Sequence, residues 1–463
     1  MMIELVWLLW AVLALAGFAW RPGAGAAWVV LVSGWALLPV VDYEGYRDAG
    51  EVARWFDVRG VALGGPVFWT KAVVIGLVVL AGVAAFDRER LRMLRWSWAD
   101  LPMAAWCALP AVSALSAGLG AGAVATGVAY HLLAWGGPYV AGRVYLAQPA
   151  GRAAAARVFV VAGLVYVPFC LVEIVRGPFL YSAVYGFHPH QTDGASRWLG
   201  SRPVVLLEHG NALGIWMASL AVIAVGAWSS GAIGGRGARR WALAAVAVLV
   251  GAAVLTQSVG PIVLMGVGLG VLATARWLRW WVILGLVLLP VVGYVGFRLV
   301  DPVRLEPALE RVLGGGVVDR LRDFSPARSL AWRVMREEEH VAAVRERPML
   351  GHAGWDWWRG EHHAPWSLWM LTLGRYGLVG VATLVAIFVV PLAVFLYRRP
   401  PPRWRGDAAA RLGAAMAVVL AMTLVDNMLN NSFNVVLVGL AGALIPADGT
   451  KEGEALAPAG RSP

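Results

Sequence analysis

Charge is scarce in this chain. Asp, Glu, Lys and Arg make up 14% of its 463 residues while 59% are hydrophobic, and the mean hydropathy is +0.67, a balance outside the range of soluble domains. Cysteine is nearly absent. Cys107 and Cys170 both fall inside apolar runs, so neither a disulfide framework nor a cysteine metal cluster is available. No internal repeat is visible, and the inverted-repeat pattern of many secondary transporters is missing with it. The polar stretches also contain no Asp-x-Asp pair of the kind that holds Mg²⁺ or Mn²⁺.

What the chain has instead is apolar runs. Those near 3–20, 24–41, 70–86, 98–118, 121–141, 154–175, 209–228, 241–256, 260–275, 280–298, 368–397, 408–425 and 432–446 are candidate spans, since roughly 20 apolar residues cross the hydrocarbon. The expected fold is all-α, a polytopic transmembrane bundle of about 12–13 spans with one long external loop carrying amphipathic helices. The first run reads as an anchor, because its N-terminal region carries Glu4 and no basic residue.

A net charge of +11 would suggest nucleic acid in a soluble protein. Here the arginines fall in clusters between apolar runs, at 87–95, 143–157, 236–240, 276–279 and 397–405, and nucleic acid is rejected as a partner. If the spans alternate, all five clusters share one side, which the positive-inside rule makes the cytoplasm. Segments 42–69, 176–208, 256–261 and 299–365 then face outward. The chain divides into an N-terminal bundle (1–298), an external cap loop (299–365), C-terminal spans (366–447) and a polar tail (448–463) whose composition reads as disordered. Within the cap, "SLAWRVMREEEHVAAVRERP" has helical apolar spacing, with Pro348 as a stop.

Three external constellations hold the polar residues. The first, "SRPVVLLEHGNALGIW", preceded by Arg197, contributes Arg202, Glu208, His209 and Asn211 at the mouth of a span. Ionisable groups there either face a protein cavity or snorkel as ordinary interfacial side chains. The second is on the cap helix, where Arg328, Trp332 and Arg336 share a face at helical spacing beside Arg333. Such a face suits a diphosphate, whereas the neighbouring Glu337-Glu338-Glu339 run offers plain salt bridges. The third is "GWDWWRGEHHAPWSLW". Trp355, Trp357, Trp358, Trp366 and Trp369 there suit either a headgroup belt or sugar stacking, and His362 and His363 supply bases that titrate near neutral pH.

In order and spacing these stretches resemble the bacterial O-antigen ligase and O-antigen/exopolysaccharide polymerase superfamily. The resemblance rests on "RPVVLLEHGNA", on the Ser-Gly turn "TQSVGP", on "RSLAW" followed by "RPMLG" (Arg328, Trp332, Pro348, Gly351), and on "GLVG" from Gly377 to Gly380. It runs from Arg202 to Gly380; the earlier spans match only in greasiness. It implies an inner-membrane glycosyltransferase with a periplasmic active face, a polyprenyl-diphosphate-linked glycan as donor, and inverting transfer to a hydroxyl of an acceptor glycan or lipid. No metal or other cofactor is implied. Under it Arg202 and Arg328, with Arg197 nearby, neutralise the diphosphate, while His209, Glu208, Asn211, Trp332, Trp355, Trp358 and Trp366 line the sugar cavity. Membrane lipids, and other polysaccharide-assembly proteins, are the implied partners.

One departure matters. Where the family commonly has His-Asn shortly before the closing glycines, this chain has Trp366-Ser367, and its histidines lie three and four residues earlier. A loop interrupted by Pro365 can absorb that slide, making His363 the expected base with His362 beside it. The competing readings are a transporter or flippase of a lipid-linked glycan, which should carry ionisable residues at mid-span, and a non-catalytic polysaccharide-assembly protein that has lost the base.

Overall fold

The computed structural model describes residues 2–40, 68–187, 196–235, 237–300, 311, 325–358 and 365–445. The side chains of 325–332 and 334–336 lie outside the described set, as do His362 and His363. In hydrocarbon every backbone N–H and C=O needs a partner within the protein, so the apolar runs fold as helices. In chain order these are α1 (Met2–Trp20), α2 (Ala24–Leu37), α3 (Lys71–Phe86), α4 (Arg88–Arg92), α5 (Leu101–Ser116), α6 (Ala121–His131), α7 (Gly137–Leu146), α8 (Pro149–Arg176) and α9 (Leu180–Tyr185). A short hairpin, β1 (Ser196–Arg197) with β2 (Gly200–Ser201), precedes α10 (Gly210–Ser230), α11 (Arg239–Leu255), α12 (Val259–Thr274) and α13 (Trp280–Val300). The cap helix α14 (Ser325–Glu346) leads to α15 (Leu368–Arg398), α16 (Ala408–Asp426) and α17 (Val435–Ala443).

The all-α, polytopic architecture is as expected. Among the described residues seven helices are long and apolar enough to cross a membrane, with shorter apolar helices at Leu5–Trp20, Ala24–Leu37 and Lys71–Phe86. The run 121–141 and its polar continuation form α6 and α7 joined by a π turn at Leu132–Gly136, and α17 has 9 residues, too few to span alone. Small residues let these short pieces pack closely: a Cβ at Gly142 of α7 would lie 1.9 Å from the Gly439 carbonyl of α17.

The run 368–397 is one expected span but not one regular helix. At Gly377 α15 is broken (φ 66°, ψ −162°), and the loop after α14 runs alongside the break. His352 and Ala353 donate to the carbonyls of Gly374 and Arg375 (both 2.9 Å), and Leu378 donates to Pro348 (2.8 Å). Ser113 of α5 closes the junction by donating to the Leu350 carbonyl at 2.7 Å. Backbone groups freed by the break are thus paired inside protein.

The arginine clusters gather at one end. Arg143 donates to the Arg95 carbonyl at 2.7 Å and pairs with Asp100 at 2.8 Å, and Arg157 reaches the Ala232 carbonyl at 3.3 Å. Arg152 sits within range of the charges of Arg399 and Asp407, and the turns Ala275–Trp277 and Pro401–Arg405 pack together. The hairpin, the N-terminus of α10 and the C-terminus of α16 lie at the other ends of these helices.

Candidate functional site

The stretch between β2 and α10 is held by a carboxylate the sequence reading passed over. Glu173, buried near the end of α8, accepts four backbone N–H groups: Phe179 and Leu180 at 3.0 Å, Val204 and Val205 at 2.7 Å. Val205 takes a left-handed φ of 57°, which the two bonds to Glu173 help to hold. Gln257, itself left-handed (φ 56°), accepts from Leu199 N at 2.9 Å and donates to the Ser201 carbonyl, pinning the hairpin to the "TQSVGP" turn.

Arg202 then lies across the start of α10. A Cβ at Gly210 would fall 2.4 Å from its Nε, and one at Gly214 would fall 2.5 Å from Ser258, so both glycines are there for close approach. Arg202 donates through Nη2 to Ser258 Oγ (2.7 Å) and also to Asn211 Oδ1, and Ser258 Oγ donates to the Gly210 carbonyl at 2.8 Å. Asn211 Nδ2 continues to Asn430 Oδ1 (3.2 Å), and Asn430 donates to Asp426 (2.9 Å) at the end of α16. "EHGNALG" and "SVGP" therefore meet at one guanidinium.

Arg333 of α14 is the second cation. Its charge acts on Arg202, and Asp426 acts on both. Burial, with Arg197 and Arg333 nearby, pulls the Arg202 guanidinium down to about 9 from its ordinary 12.5, while Asp426 works in the opposite direction. Burial likewise lowers Arg333, and its Nε is buried with no hydrogen-bond partner among the described residues. Two half-buried guanidinium groups lie within electrostatic range of one buried carboxylate without forming an ion pair with it, and an orphaned N–H remains. A dianionic ligand would satisfy both deficits.

His209 caps α10, its Nδ1 accepting from the amides of Asn211 (2.9 Å) and Ala212 (3.2 Å). Those bonds require a lone pair on Nδ1, so the neutral ring carries its proton on Nε2 and is a donor there, not a base. Trp366 stacks parallel to this imidazole, 6.2 Å between centroids.

The other expected residues separate from this site to different degrees. Arg197 is exposed on β1 and reaches the site only through its charge. Glu208 is buried and paired with Lys71 at 2.6 Å, and the ammonium also sits 4.1 Å above the Trp35 ring. The partner expected for Arg202 was Arg328; the structure brings Arg333 to it, and the side chains of Arg328, Trp332 and Arg336 are outside the described set. Glu337 is no solvated salt bridge. It accepts from Tyr294 (2.6 Å), Trp369 (3.0 Å) and Ser367, with Arg298 at 3.9 Å, and burial raises its carboxyl while those neighbours lower it.

Nor do the tryptophans form a belt. Trp358 and Trp369 are buried, Trp355 packs edge-on to Trp358 (6.3 Å), and Trp357 is wedged where a Gly374 Cβ would lie 1.9 Å from its ring. Their role here is to fasten the cap to α15, which leaves Trp366 as the tryptophan of the group that stacks at the site.

The sequence reading missed Asp426, Asn430 and Lys71 and passed over Arg333. The polar run "DNMLNNSFN" (426–434) was the available signal, since amides and a carboxylate between two apolar runs need partners. No family model and no curated protein matches the chain.

Proposed function

We propose that this protein transfers a glycan from a polyprenyl-diphosphate donor to an acceptor hydroxyl, at the end of the bundle remote from its arginine clusters and on the periplasmic side of a bacterial inner membrane. The single observation that carries the reading is a pair of half-buried guanidinium groups, Arg202 and Arg333, within electrostatic range of the buried Asp426, with Arg202 fixed by Ser258 and Asn211 at the start of α10. In the reaction the acceptor oxygen attacks the anomeric carbon, the carbon–oxygen bond to phosphate breaks, and the electron pair leaves on the diphosphate. Two guanidinium groups stabilise that leaving charge without a metal. The proton of the acceptor hydroxyl goes to His363, with His362 beside it, because His209 has its Nδ1 engaged. Asn211, Trp366 and the His209 Nε2–H would face the sugar. The acceptor is a glycan or a lipid, and other polysaccharide-assembly proteins would supply donor and acceptor. A transporter would need its charges at mid-span, whereas this pair sits at a helix-end junction.

The test is glycan transfer by the purified protein in liposomes loaded with a polyprenyl-diphosphate glycan. Arg202→Ala and Arg202→Lys should both lower the rate by about 10²-fold or more, since lysine lacks the planar fork. His363→Ala should lower it by roughly 10²–10⁴-fold. Wild-type transfer by Arg202→Ala would overturn the assignment.

A further inference from the structure

A second cavity among the described residues lies away from this site. It has a volume of about 1180 Å³ and lies at the arginine-rich end, between α1, α2, α7 and the start of α8. That exceeds the roughly 300–1,000 Å³ of ordinary small-molecule pockets. Its walls divide by chemistry. Toward the middle of the bundle they are apolar and small, with Ala14, Gly17, Ala26 and Val30, and a Cβ added at Gly17 or Gly25 would meet nothing within 4 Å. At the end of the bundle they carry Arg21, Arg90, Arg95 and Arg143, and no carboxylate is among the described residues that line the cavity.

These four arginines are not equivalent. Arg143 is consumed by Asp100 and the carbonyls of Arg95 and Ile445, and Arg90 is 3.5 Å from Asp87. Arg21 and Arg95 have no carboxylate partner among the described residues, and both are exposed. The cavity also opens sideways. Leu13, Trp20, Val29 and Met93 belong to its lining and are strongly exposed, and Leu13 is continuous with Leu5, Leu8, Leu9 and Val12 on the outer flank of α1. A water-borne anion would not need that apolar side door, and an apolar molecule would not need the arginines.

We infer that this cavity binds an anionic phospholipid of the bilayer, its phosphate between Arg21 and Arg95 and its acyl chains in the glycine- and alanine-lined groove. The bilayer is the source because the apolar wall runs without interruption onto the lipid-facing surface, and the charge is complementary to the anionic headgroups that basic clusters at a membrane surface attract. This site is separate from Arg202 and needs nothing from the transfer reaction.

The experiment is native mass spectrometry on the delipidated full-length protein in detergent, titrated with phosphatidylglycerol, with phosphatidylcholine of the same chains, and with inorganic phosphate. Phosphatidylglycerol should bind at one saturable site well ahead of phosphatidylcholine, and phosphate should neither bind nor compete. Arg21→Gln with Arg95→Gln should weaken phosphatidylglycerol by about 30-fold, as two surface arginines imply, while the corresponding lysine pair keeps the preference. Gly25→Phe, whose ring enters open space and should leave the fold intact, should lower binding of both lipids. Equal binding of the two lipids, competition by phosphate alone, or unchanged phosphatidylglycerol binding in Gly25→Phe would each overturn the inference.

Discussion

Arg202 keeps its charge in surroundings that only partly compensate it. Its folded value of about 9 lies below the ordinary 12.5, so the protonated form is disfavoured by the fold. The sign follows from linkage. The destabilisation is fully present below pH 9 and is relieved as pH rises from 9 toward the unfolded value, because there the unfolded chain binds more protons than the folded one. An anion bound beside Arg202 removes the same penalty, and only while the guanidinium is charged. Inorganic diphosphate should therefore raise the Tm of the detergent-solubilised protein at pH 7.5 and raise it less at pH 10, with Arg202→Gln removing most of the shift at both. A shift of equal size at the two pH values would contradict the assignment. At this scale the sequence was informative for Arg202, Asn211 and His209, which lie close together along the chain. The sequence favoured Arg328, whose side chain lies outside the described residues, and did not single out Arg333, because the Glu337 anchor that fixes the inward face of the cap helix draws on Tyr294, Ser367 and Trp369 from elsewhere.

Helix α15 shows how two short patterns can be one structural device. "PMLG" and "GLVG" look like separate marks in the sequence, yet Gly351 and Gly377, both at φ 66°, press on each other's strands. A Cβ at Gly351 would sit 2.4 Å from the Arg375 carbonyl carbon, and one at Gly377 would sit 2.3 Å from that of Met349. Neither contact is with a flexible side-chain tip, so the backbone itself would have to move. Gly377→Ala should cost about 2–4 kcal/mol, combining the left-handed conformation with overpacking, whereas Gly285→Ala on α13, which meets open space, should be neutral or slightly stabilising. Thermal unfolding of the two variants in the same detergent checks this; equal Tm values would mean that the break in α15 tolerates a side chain. Pattern reading found the amphipathic cap helix and its stop before Pro348, because periodicity is local. It could not find the break, whose cause is a strand of backbone from another segment.

The molecule as a whole is polarised: arginine clusters gather at one end, and the half-buried Arg202–Asn211–Asn430–Asp426 network lies at the other. The gathering of the clusters was legible from their alternation with apolar runs. The number of full spans was not, since hydropathy cannot tell a helix that crosses from one that ends after 9 residues. The polarity would separate the two proposed phosphate-directed roles, transfer at one end and lipid attachment at the other. The central claim is that Arg202 and Arg333 hold the diphosphate of a lipid-linked donor. It is tested most directly by a cryo-EM map of the protein with a polyprenyl diphosphate bound. The account predicts both phosphates between the Arg202 and Arg333 guanidinium groups, with Arg333 Nε now donating to a phosphate oxygen; density for the diphosphate in the cavity beside Arg21 and Arg95, with Arg333 unchanged, would contradict it.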